Sequence, residues 1–369
     1  MVSSMPSRSL PSLANPISWC APTATMPISC APTSRPCGSP PGKSSNGKRA
    51  LLNMSVFTPL ERHELETFVA PYGLGRLLDF QGIAEGSENS NFFVTLEQGE
   101  YVLTLVERGQ MDDLPFFIEL LDVLHAADLP VPYALRTGDG LALRKLAGKP
   151  ALLQPRLSGR HVQEPNAQHC REVGTLLARL HLATCKSPLP RPSDRGLEWM
   201  LEKGPELALQ LPDEQLPLLR EALAEVARLK SRLLALPTAN LHADLFRDNA
   251  LFDGPHLTGV IDFYNAFAGP MLYDLAIAVN DWCSKEDGSL DPQLTQAMLA
   301  AYSAKRPFRA AEAELWPAML RIACLRFWLS RLIAAQAFAG QQVLIHDPEV
   351  FRRRLQARRH VQVALPFAL

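Results

Sequence analysis

The fold of this chain is decided by the stretch Leu241-His242-Ala243-Asp244-Leu245-Phe246-Arg247-Asp248-Asn249, which is followed by Val260-Ile261-Asp262-Phe263. The first stretch has no helical period, so it predicts a loop that feeds a strand. The second reads as a hydrophobic strand that ends in a carboxylate. Oxygen-bearing side chains therefore stand at Asp244, Asn249 and Asp262.

A hairpin separates the two stretches. Residues 250–252 and 257–261 have the composition of strands, and an Asp-Gly turn joins them. Such a hairpin would fold Asp262 back beside Asn249. Carboxylate and amide oxygens suit Mg²⁺, which usually shares its coordination with substrate phosphates. We therefore expect Asn249 and Asp262 to hold Mg²⁺, and Asp244 to orient a hydroxyl group and accept its proton.

The chain before this site changes character near residue 155. Five short strands are predicted there, and one helix over residues 114–127 is expected to lie across their sheet. The strands are predicted at residues 78–83, 91–96, 101–106, 141–146 and 151–157. We therefore expect a small β-rich lobe over residues 54–157.

Helical periodicity dominates the chain after residue 159. Helices are predicted at residues 167–183, 216–236, 273–283, 292–303 and 311–339. The fold class is therefore α+β, with the small lobe followed by a larger, mostly helical lobe over residues 158–369 that carries the catalytic and substrate sites. Ligand pockets favour such junctions between lobes.

The first 53 residues differ from the rest. They hold 9 of the 31 prolines and 11 serines, and they contain no Asp or Glu. This composition is typical of a transit peptide. It is also typical of a disordered extension, or of upstream sequence that is not part of the native protein, because it cannot bury enough apolar surface to fold. We favour the second interpretation and expect the working protein to begin near Met54.

Charge and cysteine usage exclude several classes. The formal charge is −1, which argues against a general nucleic-acid-coating surface. No uncharged apolar run reaches the ~20 residues that span a bilayer. The most apolar stretch carries Arg321, Arg326 and Arg331, so it predicts a helix inside a protein. Isolated cysteines without a Cys-x-x-Cys pair favour reduced thiols. We therefore expect a cytoplasmic enzyme of small molecules, with neither nucleic acid nor membrane as a partner.

Known kinases contain the same pattern. The spacing His-x-Asp-x-x-x-x-Asn, followed by a strand that ends in Asp, resembles the catalytic core of the aminoglycoside phosphotransferase and protein-kinase-like superfamily. Residues 174–181 resemble the helix that these small-molecule kinases place before the loop. Tyr273-Asp274-Leu275-Ala276 resembles their Asp-Leu-Ala signature. The resemblance covers nearly all of residues 54–369, and it implies a bilobal protein-kinase-like fold with ATP and Mg²⁺ at the junction of the lobes.

Within that superfamily, the chain resembles the bacterial homoserine kinases of the phosphotransferase-like type. The resembling segments are residues 82–93, 101–105, 242–249, 259–264 and 273–283. The resemblance implies ATP-dependent phosphorylation of the L-homoserine hydroxyl to O-phospho-L-homoserine, a step of threonine biosynthesis. Two alternatives stay open: another small-molecule kinase, for choline, methylthioribose or an aminoglycoside, and a nucleotide-binding pseudokinase.

The kinase resemblance also implies supporting and substrate-binding residues. We expect His242 to pack and hydrogen-bond within the loop, and Asp274 to be a buried carboxylate that supports the loop. An amino-acid substrate needs a carboxylate for its ammonium and a cation for its carboxylate. The candidates for these contacts are Asn280, Asp281 and Arg326.

Nucleotide contacts are expected in two places. The turn before the second strand can offer polar side chains and backbone N–H groups to phosphate oxygens, at Ser87, Asn89, Ser90 and Asn91. The chain between the lobes, at Gln154 and Leu157, stands where superfamily members bind adenine through backbone groups.

One residue departs from the superfamily pattern. Thr104 stands on the third strand, where these kinases usually carry a Lys or Arg that grips the phosphates. The nearest cations in the sequence are Arg108, Arg144 and Lys145. Thr104 favours the pseudokinase alternative, whereas the intact set of loop residues argues against it.

Overall fold

The structure is a computed structural model, and it describes residues 58–83, 89–107, 111–337, 346–361 and 363–366. All of these residues belong to one compact unit, Leu51–Leu369. The predicted extension at residues 1–53 lies outside the described residues, and so do Ser87 and Arg108.

The first part of the chain forms an antiparallel sheet. Its elements are α1 (Arg62–Val69), β1 (Leu77–Gly82), β2 (Ser90–Leu96), β3 (Gly99–Leu105), α2 (Leu114–Ala126), β4 (Arg144–Leu146) and β5 (Lys149–Pro155). The strand order is β1-β2-β3-β5-β4, which confirms the predicted five-stranded sheet. The strand predicted at residues 141–146 begins only at Arg144. Leu141 belongs to the preceding turn, because its N–H donates to the Thr137 hydroxyl at 3.1 Å.

The helix that covers this sheet is α1, which the sequence analysis missed. Leu65 and Phe68 of α1 share a core with alternate residues of the central strands, such as Phe92 and Leu103. The predicted helix at residues 114–127 is present as α2, but its packing was predicted wrongly. Most of its apolar residues, such as Leu124, lie in the larger core of the helical lobe. An eight-residue helix has too few turns to show a clear period.

The second part of the chain is mostly helical. Its elements are α3 (Ala167–Thr184), α4 (Leu197–Ala208), α5 (Leu216–Leu234), β6 (Thr238–Leu241), β7 (Ala250–Asp253), β8 (His256–Val260), β9 (Phe267–Pro270), α6 (Met271–Trp282), α7 (Pro292–Lys305), α8 (Ala310–Ala337) and α9 (Pro348–Arg358). The five predicted helices and the hairpin of β7 and β8 are confirmed. The helices α4 and α9 and the pair β6–β9 were not predicted. A small sheet lobe followed by a helical lobe is the predicted α+β, bilobal arrangement.

The three arginines of α8 show how this helix sits in the lobe. Arg321 forms an ion pair with Glu225 at 2.7 Å, and Arg326 is buried with its guanidinium 3.8 Å from the centre of the Phe327 ring. The predicted interior location of this helix is therefore confirmed. Among the helices that the structure describes, none is long and apolar enough to span a membrane.

The sheet presents a second face, opposite to α1. Because side chains alternate along a strand, Asn91, Thr104 and Leu152 form one row across β2, β3 and β5. Phe93, Val102 and Gln154 form the next row. These rows hold three of the side chains expected to lie near a nucleotide, Asn91, Thr104 and Gln154.

Candidate active site

The loop after β6 and the β7–β8 hairpin bring the predicted residues together. Ala250 pairs with Val260 in the hairpin, and the Ile261 N–H donates to the Asn249 carbonyl at 3.0 Å. Asp262 is the next residue, so the hairpin places it beside Asn249, as its length predicts. Asp262 is exposed, whereas Asn249 is half-buried.

Asp274 holds this loop in place. One of its carboxylate oxygens accepts from the Ala243 N–H at 2.8 Å, and the other accepts from the His242 N–H at 2.8 Å and contacts His181 Nε2 at 3.2 Å. Burial raises the pKa of Asp274, but its interactions with His181 and His242 outweigh burial and lower this pKa below its usual value. A fully buried carboxylate on α6 therefore stays ionised and fixes two consecutive amides of the loop.

Two residues of the site have left-handed backbones. Ala243 and Asp262 both have φ of 63°. A residue with a side chain is disfavoured in this conformation by about 1–2 kcal/mol. The hydrogen bonds from Asp274 hold Ala243 in its conformation, and such retained strain is typical of functional sites.

His242 uses both of its ring nitrogens inside the protein. Its Nδ1 accepts from the Asp244 N–H at 3.2 Å, and its Nε2 lies 3.0 Å from the Ile261 carbonyl oxygen. Both contacts are satisfied when Nε2 carries the proton and donates it to that oxygen. His242 therefore ties the loop to the residue before Asp262, and no ring nitrogen remains to act as a base.

The carboxylate of Asp244 lies partly buried beside Asn265, a residue that lines a cavity. Its Oδ2 accepts from Asn265 Nδ2 at 3.1 Å, and the Asn265 amide oxygen accepts from the Arg326 guanidinium at 3.1 Å. Burial raises the pKa of Asp244, although the charge of Arg326 acts in the opposite direction. A raised pKa makes this carboxylate a stronger base than an ordinary aspartate.

Asn249 and Asp262 have a donor set that fits a hard cation. Asn249 Nδ2 donates to the Asp244 carbonyl at 2.8 Å, which leaves the amide oxygen of Asn249 as the atom available to a ligand. Asp262 contributes carboxylate oxygens from the end of the hairpin. Amide and carboxylate oxygens are the ligands that Mg²⁺ takes together with phosphates.

The residues predicted to touch phosphates are themselves bonded to protein. Asn89 Oδ1 accepts from the Glu107 N–H at 3.1 Å, and Asn91 Oδ1 accepts from the Thr104 hydroxyl at 2.7 Å. Ser90 is fully buried and donates to Glu107 at 2.5 Å. This placement makes Ser90 part of the lobe's interior, whereas Asn89 also lines the cavity.

The chain between the lobes has its own contacts. Gln154 Nε2 donates to the Pro132 carbonyl, and the backbone of Gln154 pairs with Val102 on β3. Leu157 packs against Gly259 of the hairpin, where an added Cβ would lie 3.0 Å from the Leu157 Cβ. Leu157 therefore connects the sheet lobe with the hairpin that carries Asp262.

The cations near Thr104 have structural partners. The Arg144 guanidinium donates to the Phe68 carbonyl and stacks over the Phe68 ring, on the α1 side of the sheet. Lys145 is exposed on the edge strand β4. The sequence analysis did not single out Lys149, which forms an ion pair with Glu107 and also donates to the Thr58 hydroxyl at 2.5 Å.

A cavity of about 260 Å³ opens beside Asp244. It is lined by Asn89, Val106, Asp113, Leu114, Phe117, Arg191, Ser193, Asp194, Arg195, Ala243, Tyr264, Asn265, Phe267, Tyr273 and Arg326. Of the predicted substrate-binding residues, only Arg326 lines this cavity. The sequence analysis missed the other polar groups because they come from distant segments without a motif of their own.

Asn280 and Asp281 lie elsewhere, so the structure corrects their predicted role. The Asn280 amide donates to the Leu320 carbonyl at 2.8 Å and accepts from Arg358 at 2.8 Å. Asp281 accepts from the Arg247 N–H at 3.0 Å and lies 3.3 Å from the Arg354 guanidinium. These side chains join α6 to its neighbours, because buried polar groups need partners.

Comparison with known proteins identifies the family of this chain. Residues 79–308 match the model of the phosphotransferase enzyme family. A homoserine kinase of Pseudomonas aeruginosa (strain LESB58) is 71% identical over 316 residues, which are 86% of this chain and 100% of the relative. A homoserine kinase of Methylobacillus flagellatus is 42% identical over 304 residues, which are 82% of this chain and 95% of the relative. The chain belongs to the phosphotransferase enzyme family, with the homoserine kinases.

Solved structures with low sequence identity share the fold of this phosphotransferase. An amicoumacin kinase in complex with AMP-PNP and Ca²⁺ superposes with a TM-score of 0.60 at 18% identity, covering 84% of this chain and 96% of that one. An aminoglycoside phosphotransferase from Alicyclobacillus acidocaldarius gives a TM-score of 0.58 at 16% identity, covering 85% of this chain and 96% of that one. These matches confirm the predicted kinase-like fold.

Proposed function

We propose that this phosphotransferase is a homoserine kinase, which transfers the γ-phosphoryl group of ATP to the hydroxyl of L-homoserine. The product is O-phospho-L-homoserine, and the step belongs to threonine biosynthesis. The observation that carries this proposal is the 71% identity with a homoserine kinase over that protein's whole length. The convergence of Asp244, Asn249 and Asp262 around one loop supplies the chemistry that the activity needs.

Asp244 is the residue that acts on the homoserine hydroxyl. Its Oδ2 is held by Asn265, which lines the cavity, so the carboxylate keeps a fixed orientation. The raised pKa of Asp244 suits a group that must accept a proton as the hydroxyl oxygen attacks phosphorus. Positioning of that hydroxyl is the main contribution, because phosphoryl transfer depends on alignment and charge stabilisation more than on covalent chemistry.

Asn249 and Asp262 would hold Mg²⁺ through their side-chain oxygens. When bound, the metal would neutralise charge on the phosphates of ATP. The contribution of the chain is to preset both ligands: Asn249 through its hydrogen bond to the Asp244 carbonyl, and Asp262 through the hairpin register. The one loop thus carries both the hydroxyl-orienting group and the metal-binding groups.

The triphosphate and adenine would lie against the face of the sheet that carries Asn91, Thr104 and Gln154. Thr104 presents a hydroxyl bonded to Asn91 instead of a cation. We propose that the phosphates are held by the loop, the metal, Asn89 and Ser87. We also propose the cytoplasm as the place of this reaction, since Cys170, Cys185, Cys283 and Cys324 are all free thiols.

An ATP-consumption screen tests the proposal. The protein is given ATP–Mg²⁺ with homoserine, choline, methylthioribose or an aminoglycoside, and the release of ADP is followed. We expect homoserine to give the largest kcat/KM, with phosphate found on its side-chain hydroxyl. Faster turnover of another alcohol would replace the substrate, and ATP binding without any phosphorylation would establish the pseudokinase alternative.

A further inference from the structure

A buried cation, Arg326, lines the cavity beside Asp244; it interacts with the charge of Asp244 across Asn265 but forms no direct ion pair with a described residue. Only 5% of Arg326 is exposed and it lines the cavity, yet its only described hydrogen bond goes to the Asn265 amide oxygen. Within the described part of the chain, no carboxylate lies within 4.0 Å of its guanidinium. A buried charge is costly unless it is paired, so this guanidinium is suited to an anion that enters the cavity.

The cavity is lined by a second hydrogen-bond donor that lacks a partner in the described part of the chain, the hydroxyl of Tyr273. The Tyr273 hydroxyl is buried and makes no hydrogen bond with any described residue, and Tyr273 lines the cavity. Burial raises the pKa of Tyr273 to about 12, so the hydroxyl remains a donor at neutral pH. Buried polar groups are almost always hydrogen-bonded in native proteins, and an orphan group calls for a missing partner. A carboxylate between Arg326 and Tyr273 would satisfy both donors.

Another wall of the cavity has the opposite charge. Arg191 binds Asp113 at 2.9 Å and Asp194 at 2.7 Å, and it also donates to the Ala266 carbonyl at 2.7 Å. One guanidinium therefore holds two carboxylates, which leaves this group with a net charge of −1. The second oxygen of each carboxylate has no bond to a described residue, so both are available to an ammonium group.

We propose that this cavity recognises the α-amino-acid group of the substrate, with Arg326 and Tyr273 binding its carboxylate and Asp113 and Asp194 binding its ammonium. This assignment rests on the proposed kinase activity, because it takes the hydroxyl of the same molecule to be at Asp244. A cavity of about 260 Å³ accommodates one small amino acid. An alcohol that lacks a carboxylate or an ammonium group would leave charged groups of the cavity unpaired. The protein would therefore select amino-acid substrates over such alcohols.

Two homoserine analogues test the carboxylate-binding groups and the ammonium-binding groups separately. 3-Aminopropan-1-ol lacks the carboxylate of homoserine, and 4-hydroxybutanoate lacks its amino group. Affinity is measured as KM for homoserine and as Ki for each analogue in competition with homoserine. The informative variants are Tyr273→Phe and Asp113→Asn, and both are checked for folding by circular dichroism.

Tyr273→Phe is the decisive variant, because the hydroxyl that it removes has no partner among the described residues and its loss should not disturb folding. We expect it to raise KM for homoserine and Ki for 4-hydroxybutanoate by about tenfold or more, the scale of a hydrogen bond to a charged group. Ki for 3-aminopropan-1-ol should stay within about twofold of the wild-type value. An unchanged KM for homoserine, or an equal rise in all three constants, would overturn the carboxylate assignment.

Asp113→Asn should give the reverse pattern. KM for homoserine and Ki for 3-aminopropan-1-ol should rise by about tenfold or more, whereas Ki for 4-hydroxybutanoate should stay within about twofold. Equal effects on both analogues would refute the ammonium assignment. The matched control is Tyr72→Phe, which removes another buried hydroxyl without a described partner, in the core of the sheet lobe. A comparable effect of Tyr72→Phe would show that the loss is not specific to the cavity and would also overturn the proposal.

A variant of Arg195 tests whether the substrate carboxylate binds at this cation instead of at Arg326 and Tyr273. Its side chain is exposed at the cavity and makes no hydrogen bond or ion pair with the described residues. If Arg195→Gln, and not Tyr273→Phe, selectively weakens the carboxylate-containing ligands, the carboxylate lies at Arg195 and the proposal is wrong. A wild-type protein that does not phosphorylate homoserine would instead refute the proposed function, so the two failures are distinguishable.

Discussion

The loop of the helical lobe and the inner face of the sheet lobe show two ways of building half of an active site. In the loop, one buried carboxylate, that of Asp274, fixes the amides before Asp244, and a short hairpin sets the metal ligands. On the sheet face, Thr104 and Asn91 hydrogen-bond each other, whereas the cation Lys149 is paired with Glu107 elsewhere in the sheet lobe. The chemistry is therefore concentrated in the loop, whereas the sheet contributes mainly shape and backbone.

The largest loss of turnover is expected from a change at Asp262, at the end of the hairpin. Asp262→Asn removes a negative charge where a cation is expected, and we predict a loss of at least ~10³ in kcat, the scale of one major electrostatic element. Steady-state kinetics at saturating Mg²⁺ measure it. Asp253→Asn, an exposed position in the same hairpin, is the matched control and should keep normal turnover. Near-normal turnover of Asp262→Asn would remove Asp262 from the site.

The next largest loss of turnover is expected from a change at Asp244. It shows whether Asp244 acts on the substrate hydroxyl or binds the nucleotide. Asp244→Asn keeps the shape but removes the proton acceptor, so kcat with homoserine should fall by about 10²–10⁴. The affinity for ATP–Mg²⁺ should change little, because Asn249 and Asp262 remain. Turnover and nucleotide binding are measured on one preparation. A collapse of ATP binding in a folded variant would place Asp244 in the metal site instead.

Asp274 and Asp244 of the helical lobe should respond to pH in opposite directions. The lowered pKa of Asp274 stabilises the fold at neutral pH, and this contribution is lost as pH falls through that lowered pKa. The raised pKa of Asp244 destabilises the fold at neutral pH, and this cost disappears as pH falls through the raised pKa towards the ordinary value.

Urea unfolding of two variants measures this difference. Asp274→Asn should lower the free energy of unfolding at pH 7 by about 3–5 kcal/mol, the scale for breaking a buried charged pair. Asp244→Asn should be at least as stable as the wild-type protein at pH 7. Any gain in its free energy of unfolding over the wild-type value should vanish in mild acid, where Asp244 of the wild-type protein is protonated. A destabilised Asp244→Asn variant at pH 7 would contradict the sign derived from its surroundings.

A smaller effect is expected in the sheet lobe. Lys149→Met leaves the Glu107 carboxylate with only the hydroxyls of Thr58 and Ser90, so the protein should lose about 1–2 kcal/mol of stability. KM for ATP should change less than about threefold, since the ion pair is internal to the lobe. Lys145→Met, at the exposed edge strand, should change neither quantity. A large rise in KM for ATP would identify Lys149 as the phosphate-binding cation.

The smallest effect is expected from the extension. We propose that residues 1–53 are dispensable, because their composition cannot support a packed core. A chain that begins at Met54 should keep the Tm and the kcat of the full chain. A large loss of either would show that the extension contributes to the folded enzyme.

The fold and the loop could be predicted from sequence because their signals are local. Asp244 and Asn249 are five positions apart, and the hairpin that brings in Asp262 is short enough to recognise from strand composition and one turn. The five-stranded sheet was likewise visible from adjacent strands and turns. The short helix α1 and the packing of α2 were missed, since both depend on which core a face is buried in rather than on periodicity.

The substrate cavity could not be predicted in the same way. Asp113, Arg191, Tyr273 and Arg326 come from four separate segments. The sequence indicated Arg326 as a candidate and placed Tyr273 in the Asp-Leu-Ala signature, but no spacing pattern joins the four residues. Asn280 and Asp281 were favoured because they follow the Asp-Leu-Ala signature, but about two turns of α6 separate them from Tyr273 at the cavity wall. Only tertiary contacts decide between a cavity wall and a helix interface.

The clamp of Asp274 on the loop makes formation of the site and folding of the lobe a single cooperative event. The amides of His242 and Ala243 are bonded to a carboxylate that no water reaches, so they can exchange with solvent only when α6 separates from the loop. Hydrogen exchange at these amides should thus report global unfolding. An enzyme built in this way has no half-assembled resting state from which an effector could switch it on.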